Sequence, residues 1–182
     1  METEQHLIDA IRSGDPQATR RLYDRFSGYT MAIGLRFIPR RDDVRDVLQE
    51  SFVKILTSID KFDYKGEGSL KNWVSKIVAN CAIDWLKEHE RVQMTNKMPE
   101  EEAADDEDPD VDLVPPDILN EMIGQLPTGC RMVVHLHIFE QLSHVEIARR
   151  LGVTENTSAS QFYYAKKLLV KMIDDYLNSH RK

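Results

Sequence analysis

The sequence predicts an all-α protein made of two small helical domains, residues 1–95 and 116–182, joined by a flexible acidic linker at 96–115. Three observations carry this expectation. Apolar side chains recur every three or four residues through both halves, bracketed by capping residues, which is the period of helices with one buried side. The run from Leu142 to Lys167 spells helix, tight turn, helix. Between the halves, PEEEAADDEDPDVD supplies nine of the 31 acidic side chains and no basic one, a composition that builds no core.

That segment also explains the charge. Setting its nine carboxylates aside turns the formal charge of −7 into +2, so two mildly basic blocks flank one acidic tether. A chain of 182 residues, 41% hydrophobic, suffices for two cores of about 80 residues each. Cys81 and Cys130 lie far apart with no CxxC pattern, so neither a disulfide framework nor a structural zinc site is expected, and a reducing cytoplasm fits. Neither an N-terminal signal pattern nor an apolar run of about 18 residues is present, so export and membrane insertion are not expected.

In chain order, Leu7, Ile8 and Ile11 mark a short helix from Thr3 to Ser13, stopped by Gly14. Asp15 and Pro16 read as N-cap and first helical residue of the next helix, which runs through Leu22, Tyr23 and Phe26. Ser27 and Gly28 offer a bend, Met31, Leu35 and Ile38 continue the stripe, and Pro39 stops it. Asp42 is the expected cap of a third helix whose Val44, Val47, Leu48, Ser51, Phe52 and Ile55 share one buried side. On its other side Asp46, Gln49, Glu50 and Val53 fall together, either a solvated face with a stray valine or a docking face for a basic, partly apolar partner.

A loop, DKFDYKGEGSL, precedes a long helix that Ser69 is expected to cap and that ends near His89. Leu70, Trp73, Val74, Ile77, Cys81 and Trp85 form its apolar side, with Asn72, Lys76, Asn80 and Lys87 alongside. Amides and lysines in that pattern suit base edges and phosphates, and Phe62 and Tyr64 of the loop suit stacking on exposed bases. A solvated flank of a core helix would look similar.

In the second half Pro115 and Pro116 break any helix leaving the tether, and helices are expected over 117–125 and 128–139. His135 and His137 point about 200° apart on a helix, so a shared metal ion is not expected. Ser143 and Glu146 form a capping box for a short helix whose apolar side is Val145, Ile147, Ala148 and Leu151. Gly152 supplies the turn, Val153 fills the corner, and Thr154 caps the last helix. There Phe162, Ala165, Leu169, Ile173 and Tyr176 face inward, leaving Asn156, Ser160, Tyr163, Tyr164 and Lys167 for a major groove.

The stretch RDDVRDVLQESFVKILTSIDKFDYKGEGSLKNWVSKIVANCAIDWLKEHER resembles the second conserved domain of bacterial extracytoplasmic function (ECF) sigma factors. LPTGCRMVVHLHIFEQLSHVEIARRLGVTENTSASQFYYAKKLL resembles their fourth, in the family's order and spacing. The resemblance implies that Asp46, Gln49, Glu50 and Val53 dock on the clamp of core RNA polymerase. It implies that Phe62, Tyr64, Ser69, Lys71, Asn72, Trp73, Lys76, Asn80, Asp84 and Lys87 recognise and open the minus-ten promoter element. It assigns the minus-thirty-five element to Thr154, Glu155, Asn156, Thr157, Ser160, Gln161, Tyr163, Tyr164 and Lys167, with the same domain contacting the polymerase flap. Promoter DNA and core polymerase are thus the expected partners, with an anti-sigma factor as a further partner in many relatives; no enzymatic activity, cofactor or metal is implied.

Where relatives carry several basic residues along the recognition helix, this chain has Ala159, Gln161, Tyr163 and Tyr164 before Lys166 and Lys167, so a weak, less salt-sensitive grip on DNA in isolation is expected. The tether fits either a solvated spacer or a strand lying against the basic DNA-reading faces. A helix-turn-helix regulator acting without polymerase is the alternative, and it leaves the Asp46 patch and the Asn72 to Lys87 stripe without a task. An enzyme using Asp42, Asp46 and Glu50 as metal ligands lacks any accompanying nucleophile, convergent histidine or phosphate-binding glycine motif.

Overall fold

The computed structural model describes residues 2–89 and 111–180, and these form helices joined by turns, with no strand among them. They fall into two compact units, one within Met1–Glu90 and one within Arg91–Lys182. Most of the expected linker, residues 96–110, lies outside the described residues.

In the first unit, α1 (Glu4–Arg12) starts where the Thr3 hydroxyl accepts the His6 N–H at 3.2 Å. In α2 (Pro16–Phe37) the Asp15 carboxylate accepts the Gln17 N–H at 2.9 Å, the cap-plus-proline start that the sequence predicts. The inward stripe of α2 departs from expectation. It runs through Ile33, Gly34 and Phe37, while Met31 and Leu35 are only half-buried. The reason is Gly34, whose missing Cβ leaves room for Val44: a methyl built there would stand 2.4 Å from Val44 Cγ1. Close approach of the two backbones selects which side of α2 is buried.

Helix α3 (Arg41–Ser58) buries all six residues expected of it, Val44, Val47, Leu48, Ser51, Phe52 and Ile55. Its N-cap is Arg40, however, with no side-chain capping bond, and Asp42 sits inside the first turn bonded to Arg45 at 2.9 Å. There Asp42 and Asp43 still favour the positive end of the helix dipole. A 3₁₀ turn, Ile59–Lys61, leads into the loop before α4 (Ser69–His89).

Helix α4 packs against both α2 and α3, and its buried arc is wider than a single stripe. Val78, Ala79, Ala82, Ile83 and Leu86 join Leu70, Val74 and Cys81 inside, and Trp73, Ile77 and Trp85 move to the half-buried margin. Ser69 does not cap this helix. Its hydroxyl donates to Gly66 O at 2.6 Å and accepts the Lys65 N–H at 3.2 Å, shaping the loop instead.

In the second unit a 3₁₀ turn, Val111–Leu113, precedes α5 (Pro116–Gln125) and α6 (Thr128–Val134). The chain then widens to one π turn, His135–Phe139, before α7 (His144–Leu151) and α8 (Glu155–His180). Both α6 and α7 pack on α8. Its interior includes one cluster of Ile123, Leu126, Cys130, Val134 and Ala165 and another of Val114, Met122 and Ile173 toward the far end of α8, besides the buried Met132, Val133, Leu136, Ile147 and Leu151. Val145, expected inside α7, is 47% exposed, and that short helix buries only Ile147, Ala148 and Leu151.

Candidate functional site

Winding α3 so that its six core residues face inward turns Asp46, Gln49, Glu50 and Val53 to solvent. Val53 is 60% exposed, an apolar side chain set among acid and amide groups. Glu50 is bridged to Lys54 at 2.6 Å, and that contact is the main reason the Lys54 ammonium titrates above its usual range. Both side chains of the pair are about half exposed, so the bridge contributes little stability and yields readily to a competing cation.

On α4, Asn72, Lys76, Asn80, Asp84 and Lys87 are exposed at spacings of three or four, which sets them along one side over more than four turns. Lys71 is exposed beside them, its ammonium 4.5 Å from the centre of the Tyr29 ring. The loop aromatics are less free than the sequence suggests. Phe62 packs tilted against Trp73, ring centres 4.7 Å apart at 32°, and Tyr64 places its hydroxyl 3.5 Å from Glu67 Oε1. Phe62, Tyr64 and Trp73 are all half-buried against the core of the first unit, with Ser69 half-buried next to them.

The helix-turn-helix has the geometry its letters predict. Ser143 Oγ accepts the Glu146 N–H at 3.3 Å while Glu146 Oε2 accepts the Ser143 N–H at 2.8 Å, a complete capping box. Gly152 turns the chain at φ 73°, and Thr154 Oγ1 accepts the Thr157 N–H at 3.1 Å to start α8. Thr154, Glu155 and Asn156 are exposed, and Ser160, Tyr163, Tyr164 and Lys167 are half-buried. Lys167 lies 4.9 Å over the Tyr163 ring, and Tyr164 leans on the core of this unit.

Two residues expected to face the groove do not. Thr157 is 5% and Gln161 7% exposed. Thr157 turns in to meet the Thr154 hydroxyl at 2.8 Å, and Gln161 Oε1 accepts the Cys130 thiol at 3.0 Å. Because α8 is covered by α6 and α7 on different sides, the arc closed to solvent at its start is wider than an apolar wheel shows.

Histidine brackets the same motif. The rings of His137 and His144 stack at 4.6 Å with Phe162 edge-on to His137 at the same distance. His137 Nδ1 donates to Leu142 O at 2.8 Å, and His144 Nδ1 meets Ser158 Oγ at 3.0 Å. Burial, then the neighbouring His137, hold His144 below its ordinary range, with Glu155 opposing. Among the described residues no three His, Cys, Asp or Glu side chains are grouped to hold a metal ion. Sequence reasoning also missed Glu4 and Arg12, whose side chains reach the loop before α4; nothing in their local spacing signals it.

Two helical units, one ending in a helix-turn-helix and the other exposing an acid-amide face and an amide-lysine stripe, have the layout of a DNA-binding protein with more than one contact surface. Comparison with known proteins gives the family. A family model described as Sigma-70 region 2 matches residues 22–92, and one described as Sigma-70, region 4 matches residues 117–169. The ECF RNA polymerase sigma-E factor of Haemophilus influenzae is 26% identical over 183 residues, covering 94% of this chain and 95% of that protein. RNA polymerase sigma factor SigV of Bacillus subtilis is 28% identical over 140 residues, covering 75% and 80% respectively. Among solved structures, that of CnrH in complex with the cytosolic domain of CnrY has the same fold, with a TM-score of 0.52 at 22% identity over 96% of this chain and 99% of that one. The chain belongs to the sigma-70 family and is a sigma factor of the extracytoplasmic function class.

Proposed function

We propose a division of labour for this sigma factor, which directs promoter-specific transcription initiation by RNA polymerase. The α3 face of Asp46, Gln49, Glu50 and Val53 docks on the polymerase clamp. Its carboxylates meet basic side chains while Val53 is desolvated, and burial of one valine contributes about 1.5 kcal/mol. The loop and α4 read the minus-ten element. Lys71, Lys76 and Lys87 neutralise phosphates, Asn72 and Asn80 bond base edges, and the packed pair Phe62 and Trp73, with Tyr64, forms a floor for an extruded base. Unstacking a base costs a few kcal/mol, offset by such contacts without nucleotide hydrolysis or other catalysis by this chain.

Thr154, Glu155, Asn156, Ser160, Tyr163 and Lys167 read the minus-thirty-five element, with Tyr164 at the margin, and the same unit contacts the flap. Thr157 and Gln161 hold this helix in place from behind. An anti-sigma partner belongs to the proposal on family resemblance; CnrH is seen bound to the cytosolic domain of CnrY. The site of action is the cytoplasm, where polymerase works, and no helix among the described residues is long and apolar enough to cross a membrane.

The observation that carries this reading is the exposed Asp46, Gln49, Glu50 and Val53 face directly behind a fully buried row on the same helix. A regulator acting without polymerase has no use for it. Replacing Asp46→Lys together with Glu50→Lys is expected to weaken assembly with core polymerase tenfold or more, measured by co-elution and by transcription from a promoter. Assembly at wild-type strength would overturn the clamp assignment.

A further inference from the structure

The loop that carries Phe62 and Tyr64 is gripped at both ends by one short helix that lies ahead of the region 2 match, which starts at residue 22. At the loop's start the Arg12 guanidinium donates to three backbone carbonyls, Ile59 O at 2.9 Å, Asp60 O at 3.4 Å and Phe62 O at 2.6 Å. At its end the Glu4 carboxylate, 2% exposed, accepts backbone N–H groups of Gly68 at 2.9 Å, Leu70 at 3.0 Å and Lys71 at 3.3 Å. Those are the amides that the first turn of α4 leaves without helical partners. The loop answers in kind: Glu67 Oε1 accepts the Glu4 N–H at 2.9 Å.

The spacing makes this one device. Glu4 and Arg12 are eight residues apart, about 12 Å along a helix axis. Between them Leu7 and Ile8 are fully buried against Ile59, Leu70 and Val74, so the helix that holds the loop is itself held. Every bond involves an ionised side chain and a backbone group, the stronger kind of hydrogen bond. The loop needs such support, because Gly66 at φ 109° and Gly68 at φ 90° leave its own backbone with wide freedom.

We infer that α1 is a two-point clamp on the minus-ten loop, with Glu4 and Arg12 as positioning residues that fix Phe62, Tyr64 and the start of α4 before DNA arrives. Ordering that stretch in advance removes its entropy from the binding step, so the clamp acts on affinity for the opened strand and not on docking to polymerase. The inference rests on the assignment of this loop to the minus-ten element.

The test uses the full chain assembled with core polymerase. Its probe is a single-stranded DNA carrying the minus-ten sequence of a promoter that wild-type holoenzyme selects from a random pool. Glu4→Ala and Arg12→Ala are each expected to weaken binding of that strand tenfold or more, with assembly on core polymerase within twofold of wild type. Glu4→Gln and Arg12→Lys, which keep part of the bonding, should fall in between. Strand binding equal to wild type in the alanine variants overturns the clamp, as does a parallel loss of assembly, which would mark a role in the whole fold. Should an alanine variant fail to fold, the glutamine and lysine variants decide by the same comparison. Wild-type holoenzyme that ignores the selected strand would overturn the minus-ten assignment itself, separating that failure from this one.

Discussion

Gln161 sits six residues into α8, where the family resemblance, and not the helical wheel, assigns it to the minus-thirty-five element. Its side-chain oxygen instead accepts a hydrogen bond from the Cys130 thiol at 3.0 Å, inside the second unit. Burial pushes the Cys130 thiol up to about 11 from an ordinary 9.0. The folded protein therefore holds this proton where the unfolded chain has lost it, so the contribution of this thiol to stability is full below pH 9 and is lost as pH rises from 9 toward 11. Denaturant titrations between pH 8 and 11 are expected to show that decline, and Cys130→Ser, which keeps a donor for Gln161 without a thiol, should flatten it. The sequence lesson is local: a glutamine pointing at a buried thiol looks, in letters, the same as one pointing at a base edge. By contrast Ser143, Glu146 and Gly152 were legible, because a capping box and a left-handed turn are specified within a few residues of chain.

Helices were read well where their burial is one-sided and poorly where it is not. All six inward residues of α3 match the expected stripe, since its opposite side meets only solvent. α3 and α4 each pack on two neighbouring helices, but the inward arc of α4 is filled in part by small residues, Ala79 and Ala82, that carry no periodic signal of their own. The stripe of α2 was misplaced at Met31 and Leu35, though not at the buried Ile38, because a glycine gives no hydrophobic mark, yet Gly34 is where Val44 enters. Gly34→Ala would drive a methyl into the stiff Val44 side chain, and such overpacking costs about 1–3 kcal/mol. Urea unfolding should register this loss, and the pair Gly34→Ala with Val44→Ala should be no less stable than Val44→Ala alone, the coupling expected when one contact carries the strain.

The two-unit helical plan and the family were readable from sequence because they depend on motif order over the whole chain, and the region 2 and region 4 matches follow that order. The pairing of α1 with the loop was not, since Glu4 and Leu70 are 66 positions apart and no periodicity links them. For the molecule as a whole, the scarcity of cations on the groove side of α8 predicts a weak electrostatic hold. Plots of log affinity for promoter duplex against log salt, taken with the free chain, should have a slope shallower than about −5, roughly six phosphates at −0.9 each. In the proposed function, polymerase supplies avidity by presenting both units to one promoter.

Val114, packed with Met122 on Ile173, moors the segment that leads into α5 to the later half of α8. That mooring lies about 20 Å along the helix from Ser160 at 1.5 Å of rise per residue. The start of this unit is thereby tied down well away from the residues that open α8.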